Sequence, residues 1–176
     1  MAEMGGLTGV ERTFPDNDII VSKTDTAGRI TYVNDIFLSI ADYTEREVMG
    51  KPHNMIRHPD MPRCVFKLLW DTLGTGDEIF AYVVNRAKFG DHYWVLAHVT
   101  PTFGANGEIL GYHSNRRVPN RQALPTIKEL YARLKAEEDR HSDRKAGMAA
   151  STAILLGLLK EKGISYGELI YSLENS

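Results

Sequence analysis

Three strand-like segments in tandem restrict what this chain can fold into more than any other feature of the sequence. They cover residues 79–86, 92–102 and 108–117. The connections are short: Phe89–Asp91 carries a glycine, and Ala105–Gly107 contains Asn-Gly, a strong hairpin signal. Connections of this length join antiparallel neighbours, because a parallel crossover needs a dozen or more residues. We therefore expect three consecutive antiparallel strands.

Two further strands are predicted near the start of the chain. The segments Ile19–Val21 and Ile30–Val33 are short and β-branched, and the turn-forming sequence Asp25–Gly28 separates them. This hairpin and the three later strands make five. An α+β fold follows, with a five-stranded antiparallel sheet and helices on one face.

Helices are predicted between the two groups of strands. Asn34 offers one helix start, and Thr44 with Glu47 three residues later has the spacing of a capping box. Over residues 61–73, apolar side chains recur at helical spacing, and we expect Asp60 to cap that helix.

The outer parts of the chain differ in character from the middle. Residues 1–17 lack sustained periodicity and are expected to form an N-terminal cap segment, followed by the folded core domain over residues 18–120. From residue 121 to 176 the pattern is helical, with apolar Ile127, Leu130, Tyr131 and Leu134 on one stripe. This extension is expected to serve output, docking or dimerisation.

Charge and cysteine content exclude several classes of protein. Lys and Arg total 21 against 23 Asp and Glu, so the chain lacks the basic surface of a nucleic-acid-binding protein. The single cysteine, Cys64, cannot form an internal disulfide, which fits a reducing compartment. No signal-peptide pattern is present, and the longest weakly polar run, Ala146–Leu159, is too short to span a bilayer. We expect a cytoplasmic protein without a transmembrane segment.

Catalytic and metal-site motifs are absent from the sequence. There is no phosphate-binding P-loop, no GxSxG elbow and no HExxH helix, and the six histidines do not have zinc-site spacing. We therefore expect no enzymatic activity and no metal site. A small enzyme using His58 and Asp60 is the weaker alternative.

The most informative polar cluster lies in the loop before the long helix. Arg57 offers a planar fork for a phosphate or carboxylate, and Asn54 offers an amide. The helix that follows carries the aromatic residues Phe66 and Trp70. Such a group either holds a ligand or locks the loop.

Five blocks of this sequence together resemble the PAS domain of Aer-type aerotaxis and energy-taxis sensors. The resemblance covers roughly residues 18–118. Within that group, the sequence is most similar to small standalone soluble PAS proteins. The blocks are Asp25–Asn34 (DTAGRITYVN), Pro52–Pro62 (PHNMIRHPDMP), Leu69–Trp70, Asn85–Arg86 and Gly90–Trp94 (GDHYW).

The resemblance implies an FAD-binding redox or oxygen sensor that passes its state to a partner, such as a chemoreceptor-like transducer. The matched positions imply a cofactor site in which the loop supplies three residues and Asn34 lies at the pocket edge. The implied site residues are Asn34, Asn54, Arg57, His58, Asp60, Phe66, Trp70 and Asn85. One position departs from the family: Ile79 stands where the best-known aerotaxis domains have a tryptophan that stacks on the flavin.

Two further alternatives remain open on the sequence, and a third is not expected. A haem-binding gas sensor would use His98 or His113 as a ligand. A cofactor-free adaptor or homodimer would use the strand face of Trp94 and Leu96 with the helical stripe of the extension. A cysteinyl-adduct photoreceptor is not expected, because Cys64 lies in the predicted long helix rather than in the segment after Gly50.

Overall fold

A five-stranded antiparallel sheet forms the centre of the molecule, as the sequence predicts. The computed structural model describes residues 6–176, so the first five residues of the predicted N-terminal cap lie outside the described residues. The strand order is β2-β1-β5-β4-β3, and every pairing is antiparallel. The strands are β1 (Ile20–Asp25), β2 (Ile30–Val33), β3 (Ile79–Arg86), β4 (His92–Phe103) and β5 (Ile109–Arg117).

Short helices connect the first hairpin to the last three strands. They are α1 (Asp35–Ala41), α2 (Glu45–Val48), a 3-10 turn (His53–Ile56) and α3 (Arg63–Gly74). The two predicted starts are confirmed: the Asn34 side chain caps α1, and the Glu47 carboxylate accepts a hydrogen bond from the Thr44 backbone N–H.

The predicted start of the long helix is wrong in one respect. α3 begins at Arg63, and Pro62, not Asp60, occupies its N-cap position. The side chain of Asp60 points to solvent, and its backbone N–H donates to His58 Nδ1 at 3.2 Å. The cap comes from far along the chain instead, because the carboxylate of Glu138 accepts a hydrogen bond from Cys64 N–H at 3.0 Å.

Alternation along the strands assigns each side chain to one of two faces. We call the face that carries Ser22, Val83, Ala97 and Ser114 the inner face, and α1 to α3 cover it. The opposite, outer face carries Tyr82, Trp94 and His98 on β3 and β4. The main apolar core lies between the inner face and these helices.

The C-terminal extension packs on the outer face and around the β3 edge. It consists of α4 (Leu124–Asp139), α5 (Arg144–Lys162) and α6 (Tyr166–Glu174). On the outer face, the ring of Tyr131 lies 6.0 Å from that of Trp94, and its hydroxyl donates to Tyr82 O at 2.6 Å. α4 and α5 form a hairpin of helices, and α5 also contacts α3.

A close approach fixes the α4–α5 hairpin. A Cβ on Gly147 would lie 2.6 Å from the backbone oxygen of Glu138, so only glycine fits there. The extension is thus held to both the outer face and α3. Among residues 6–176, no helix is long and apolar enough to cross a membrane.

Candidate functional site

A cavity of about 530 Å³ lies between α3 and the inner face of the sheet. This volume is in the range of sites that hold a small molecule or cofactor. Its walls are mainly apolar and come from the 3-10 turn, α3, β3 and β4. They include Ile56, Leu69, Leu73, Val83, Ala97 and Val99.

Three polar side chains, Arg116, Ser22 and His53, form a hydrogen-bonded series on one part of the wall. We call this part of the wall the inner end of the cavity. The Arg116 guanidinium is 2% exposed and donates from Nη2 to Ser22 Oγ. Ser22 Oγ lies 3.0 Å from His53 Nε2. All three side chains line the cavity.

The charge states within this series follow from burial. Burial lowers the pKa of His53 to about 3, and the nearby positive charge of Arg116 acts in the same direction, so the imidazole is neutral at pH 7. Burial lowers the pKa of Arg116 to about 10, which leaves the guanidinium protonated. Ser22 Oγ accepts from Arg116 and also lies within hydrogen-bonding distance of His53 Nε2, so this hydroxyl links the two side chains.

Several buried polar atoms of cavity-lining residues have no hydrogen-bond partner among residues 6–176. They are Thr24 Oγ1, Asn85 Nδ2, and Nε and Nη1 of Arg116. Buried polar groups in folded proteins are nearly always hydrogen-bonded, and each exception calls for an explanation. Four unpaired atoms on residues that line one cavity leave hydrogen-bonding capacity for a polar ligand or for water.

Basic side chains lie on the side of the cavity formed by the loop and α3. Arg57 donates from Nη2 to Met61 O at 2.9 Å, and its guanidinium lies 4.6 Å from the ring centroid of Phe66. Arg63 and Lys67 of α3 line the same cavity. Burial lowers the pKa of Arg57, yet no carboxylate of residues 6–176 forms an ion pair with it within 4 Å.

The structure brings five of the eight predicted site residues to this cavity. Asn54, Arg57 and Phe66 line it, together with Trp70 and Asn85. Trp70 is 43% exposed and contacts the Tyr112 ring edge-on at 5.2 Å. Ile79, where the family has tryptophan, is buried but does not line the cavity.

Asn34 is placed elsewhere. Its Oδ1 accepts from Val21 N at 3.0 Å and Phe37 N at 3.1 Å, and its Nδ2 donates to Ile19 O at 2.7 Å. Both polar atoms of the amide therefore tie α1 to the start of β1, and Asn34 does not line the cavity.

His58 and Asp60 are also placed elsewhere. Both line a second cavity, of about 550 Å³, which also carries Trp94, Lys128 and Tyr131. The loop passes the β3 edge of the sheet, where Arg57 pairs with Asn85 through a backbone bridge. Asn54 and Arg57 therefore line the first cavity, whereas His58 and Asp60 line the second.

The two histidines that a haem sensor would use do not face the inner cavity. His98 pairs with Glu78 at 2.6 Å and His113 with Asn115 at 3.0 Å, both on the outer face, so neither can ligate a haem in the inner cavity. Within residues 6–176, no cluster of three or more His, Cys, Asp or Glu side chains is arranged to hold a metal ion.

The apolar surface assigned to an adaptor is largely internal. Trp94 is 7% exposed because α4 covers it, and Ile127 and Leu134 of the helical stripe are buried against the sheet and α5. Leu96 and Leu130 are partly buried.

Sequence reasoning missed the inner end of the cavity and the contribution of the extension. On β1, Ser22 and Thr24 alternate with residues that face the outer side of the sheet. This alternation would have assigned both residues to the inner face if the predicted strand had continued past Val21. Arg116 gives no such signal, because β5 carries polar residues on both faces near its end. Met148 of α5 also lines the cavity, although it lies outside the predicted core.

Comparison with known proteins agrees with this fold. The family described as PAS fold matches residues 30–116. The Escherichia coli K12 protein named "Aerotaxis receptor" is 41% identical over 121 residues, which cover 69% of this chain and 24% of that protein. The Klebsiella pneumoniae "Nitrogen fixation regulatory protein" is 25% identical over 99 residues, covering 56% of this chain and 20% of the relative. The chain thus spans about a quarter or less of these relatives.

Solved structures show the same architecture. A light-oxygen-voltage domain studied with a flavin analogue superposes with a TM-score of 0.55 at 18% identity, covering 63% of this chain and 84% of that one. The dark structure of the blue-light photoreceptor Aureochrome1 LOV gives a TM-score of 0.53 at 21% identity, with 69% and 84% covered. At these identities the likeness concerns the fold alone.

Proposed function

The chain belongs to the PAS family through a domain of the aerotaxis-receptor type, and on that premise we propose that it is a flavin-binding redox or oxygen sensor. The sensor binds FAD in the inner cavity and passes the state of the flavin to a signalling partner. It acts as a signalling module and not as an enzyme.

The observation that carries this proposal is the distribution of polarity around the inner cavity. The wall is apolar, and the unpaired atoms of Thr24, Asn85 and Arg116 lie on the sheet side. A flavin ring has a flat apolar body and one edge of hydrogen-bonding atoms, which matches such a wall. The residues present therefore fit the group.

Each part of the cavity has a role in this proposal. Asn85 donates from its free Nδ2 to the polar edge of the ring, and Arg57 with Arg63 holds the phosphates. Phe66 and Trp70 exclude water from the ring. The flavin itself supplies electron transfer, with a change of charge and hydrogen bonding on reduction.

Transmission of the signal uses the C-terminal extension. Met148 of α5 lines the cavity, and Glu138 of α4 caps the helix that forms its wall. A change in the cavity therefore acts on two attachment points of the extension. We propose a chemoreceptor-like transducer in the cytoplasm as the partner, with a homodimer as the working unit.

An absorption spectrum of the purified protein, before and after dithionite, tests the proposal. We expect flavin bands that bleach on reduction, or appear after FAD is added to colourless protein. Arg57→Ala is expected to weaken FAD binding, whereas Arg46→Ala, on the exposed side of α2, is the matched control. A haem spectrum, or no FAD binding at all, would refute the proposal.

A further inference from the structure

Arg116 is a buried cation with no counterion in the described part of the chain. It is 2% exposed, and no carboxylate of residues 6–176 forms an ion pair with it. A buried charge is costly unless it is paired and hydrogen-bonded. Within residues 6–176, the only hydrogen bond of its side chain runs from Nη2 to Ser22 Oγ.

The groups that face Arg116 are all neutral at pH 7. His53 is uncharged because burial holds its pKa at about 3. Burial raises the pKa of Tyr93 well above its usual value, so this phenol also stays neutral. The Phe37 ring lies 5.3 Å from the guanidinium carbon and contributes only its π face. The described residues, 6–176, supply no negative charge at this point.

The Arg116 side chain lines the cavity wall. Its Nε and Nη1 atoms have no hydrogen-bond partner among residues 6–176. A guanidinium presents these N–H groups in a fixed plane, which suits an anionic group with one or two acceptor atoms. The hydrogen-bond chain through Ser22 to His53 fixes the orientation of the group.

We propose that the inner end of the cavity is an anion-binding subsite, with Arg116 as its charged donor. The next part of the inference rests on the proposed flavin function. The subsite binds the reduced flavin ring more tightly than the oxidised ring. Arg116 is therefore the residue that determines specificity between the two redox states.

The charge balance follows from the chemistry of the flavin. Dithionite gives two electrons to the oxidised, neutral ring and is itself oxidised to two sulfite ions, with two water molecules supplying the additional oxygen atoms and releasing four protons. One proton from water is added at N5, so the ring gains one net negative charge. By linkage, each tenfold preference for the reduced form raises the two-electron potential by about 30 mV.

The test measures the dissociation constant of FAD under air and under dithionite, for the wild type and three variants. Arg116→Gln removes the charge, and Arg116→Lys retains it. Arg117→Gln changes the exposed neighbour, whose side chain alternates to the outer face, and is the matched control. We expect the wild type, Arg117→Gln and Arg116→Lys to favour reduced FAD, and Arg116→Gln to lower that preference about tenfold or more.

The outcomes separate this inference from the proposed function. If FAD binds but the wild type has no preference for the reduced form, or Arg116→Gln keeps the preference, the inference fails and the flavin function stands. If Arg116→Gln does not fold, the ratio of the two FAD dissociation constants still tests the inference. No preference for reduced FAD in the wild type, or loss of that preference in Arg116→Lys, contradicts it.

If no FAD binds in either state, the flavin function fails, and sulfate tests the subsite alone. Stabilisation of the wild type and Arg116→Lys by sulfate that is absent in Arg116→Gln then supports the anion subsite. Equal stabilisation of the wild type and a folded Arg116→Gln, or no stabilisation of the wild type, overturns it.

Discussion

Two asparagine side chains in this protein have opposite hydrogen-bonding states. Every polar atom of the Asn34 amide has a backbone partner, whereas Asn85 leaves Nδ2 unpaired beside the cavity. Both residues belong to the blocks that resemble Aer-type domains, so motif matching alone does not separate them. The surrounding structure does: the first holds the fold, and the second is available to a ligand.

This distinction predicts different effects of the two alanine substitutions. Asn34→Ala removes the cap of α1 and its tie to β1, and we expect a loss of about 1–2 kcal/mol in the free energy of unfolding. Asn85→Ala is expected to weaken FAD binding with a smaller effect on stability. Urea denaturation and FAD titration of both variants measure this. Equal loss of FAD affinity in a stably folded Asn34→Ala would contradict the assignment.

His53 makes the stability of the protein depend on pH. Its pKa is about 3 in the folded state because of burial, against about 6.5 when unfolded, so the unfolded chain binds the extra proton between these values. Stability is therefore complete above about pH 6.5 and falls as the pH drops towards 3.

The slope due to His53 is at most about 1.4 kcal/mol per pH unit. We expect His53→Gln to show a flatter decline between pH 7 and 5, measured by urea denaturation. His58→Gln is the control, because burial also lowers the pKa of His58 and its removal leaves the contribution of His53 intact. A wild-type slope that persists in His53→Gln would show that this imidazole is not buried in its neutral form.

Among the elements, strands were easier to predict than helix ends. The bounds of β3 and β2 agree with the sequence prediction because their turns carry glycine and their side chains are apolar. β1 continues to Asp25, past the predicted end at Val21, because ladder hydrogen bonds to β2 and β5 hold polar residues in place. The cap of α3 was not predictable, because Glu138 is 74 residues away from Cys64.

The Glu138 carboxylate joins the extension to α3 and can be tested through a single thiol. It is fully buried, and it accepts from Cys64 N–H and from Ser151 Oγ, each at 3.0 Å. Glu138→Ala leaves these donors without the carboxylate, and we expect a loss of about 2–4 kcal/mol in unfolding free energy.

Cys64 is the only cysteine and is 0% exposed, so its reaction with a thiol reagent reports local opening at this junction. We expect much faster labelling in Glu138→Ala than in the wild type. Glu138→Gln, which retains an acceptor oxygen, is the matched control and should label at an intermediate rate. Equal labelling rates in all three proteins would show that the carboxylate does not hold the extension on α3.

At the scale of the whole molecule, pattern and motif predicted the PAS fold, the helical extension and five of the cavity residues. The wall of the cavity was predictable because strand alternation and helix periodicity assign faces locally. The extension's packing was not, since contacts such as Tyr131 with Trp94 depend on how distant elements meet. The same reason explains why His58 and Asp60 reach a cavity other than that of Arg57.

The central claim is that the inner cavity holds the flavin, and titration of FAD into a cavity-filling variant tests it most directly. Ala97 lies on the cavity wall, and its neighbour Leu96 faces the opposite side of the sheet. With binding followed by flavin fluorescence, we expect Ala97→Phe to abolish FAD binding, while the wild type and the matched control Leu96→Phe bind one FAD per chain. Unchanged affinity in a folded Ala97→Phe would contradict the account.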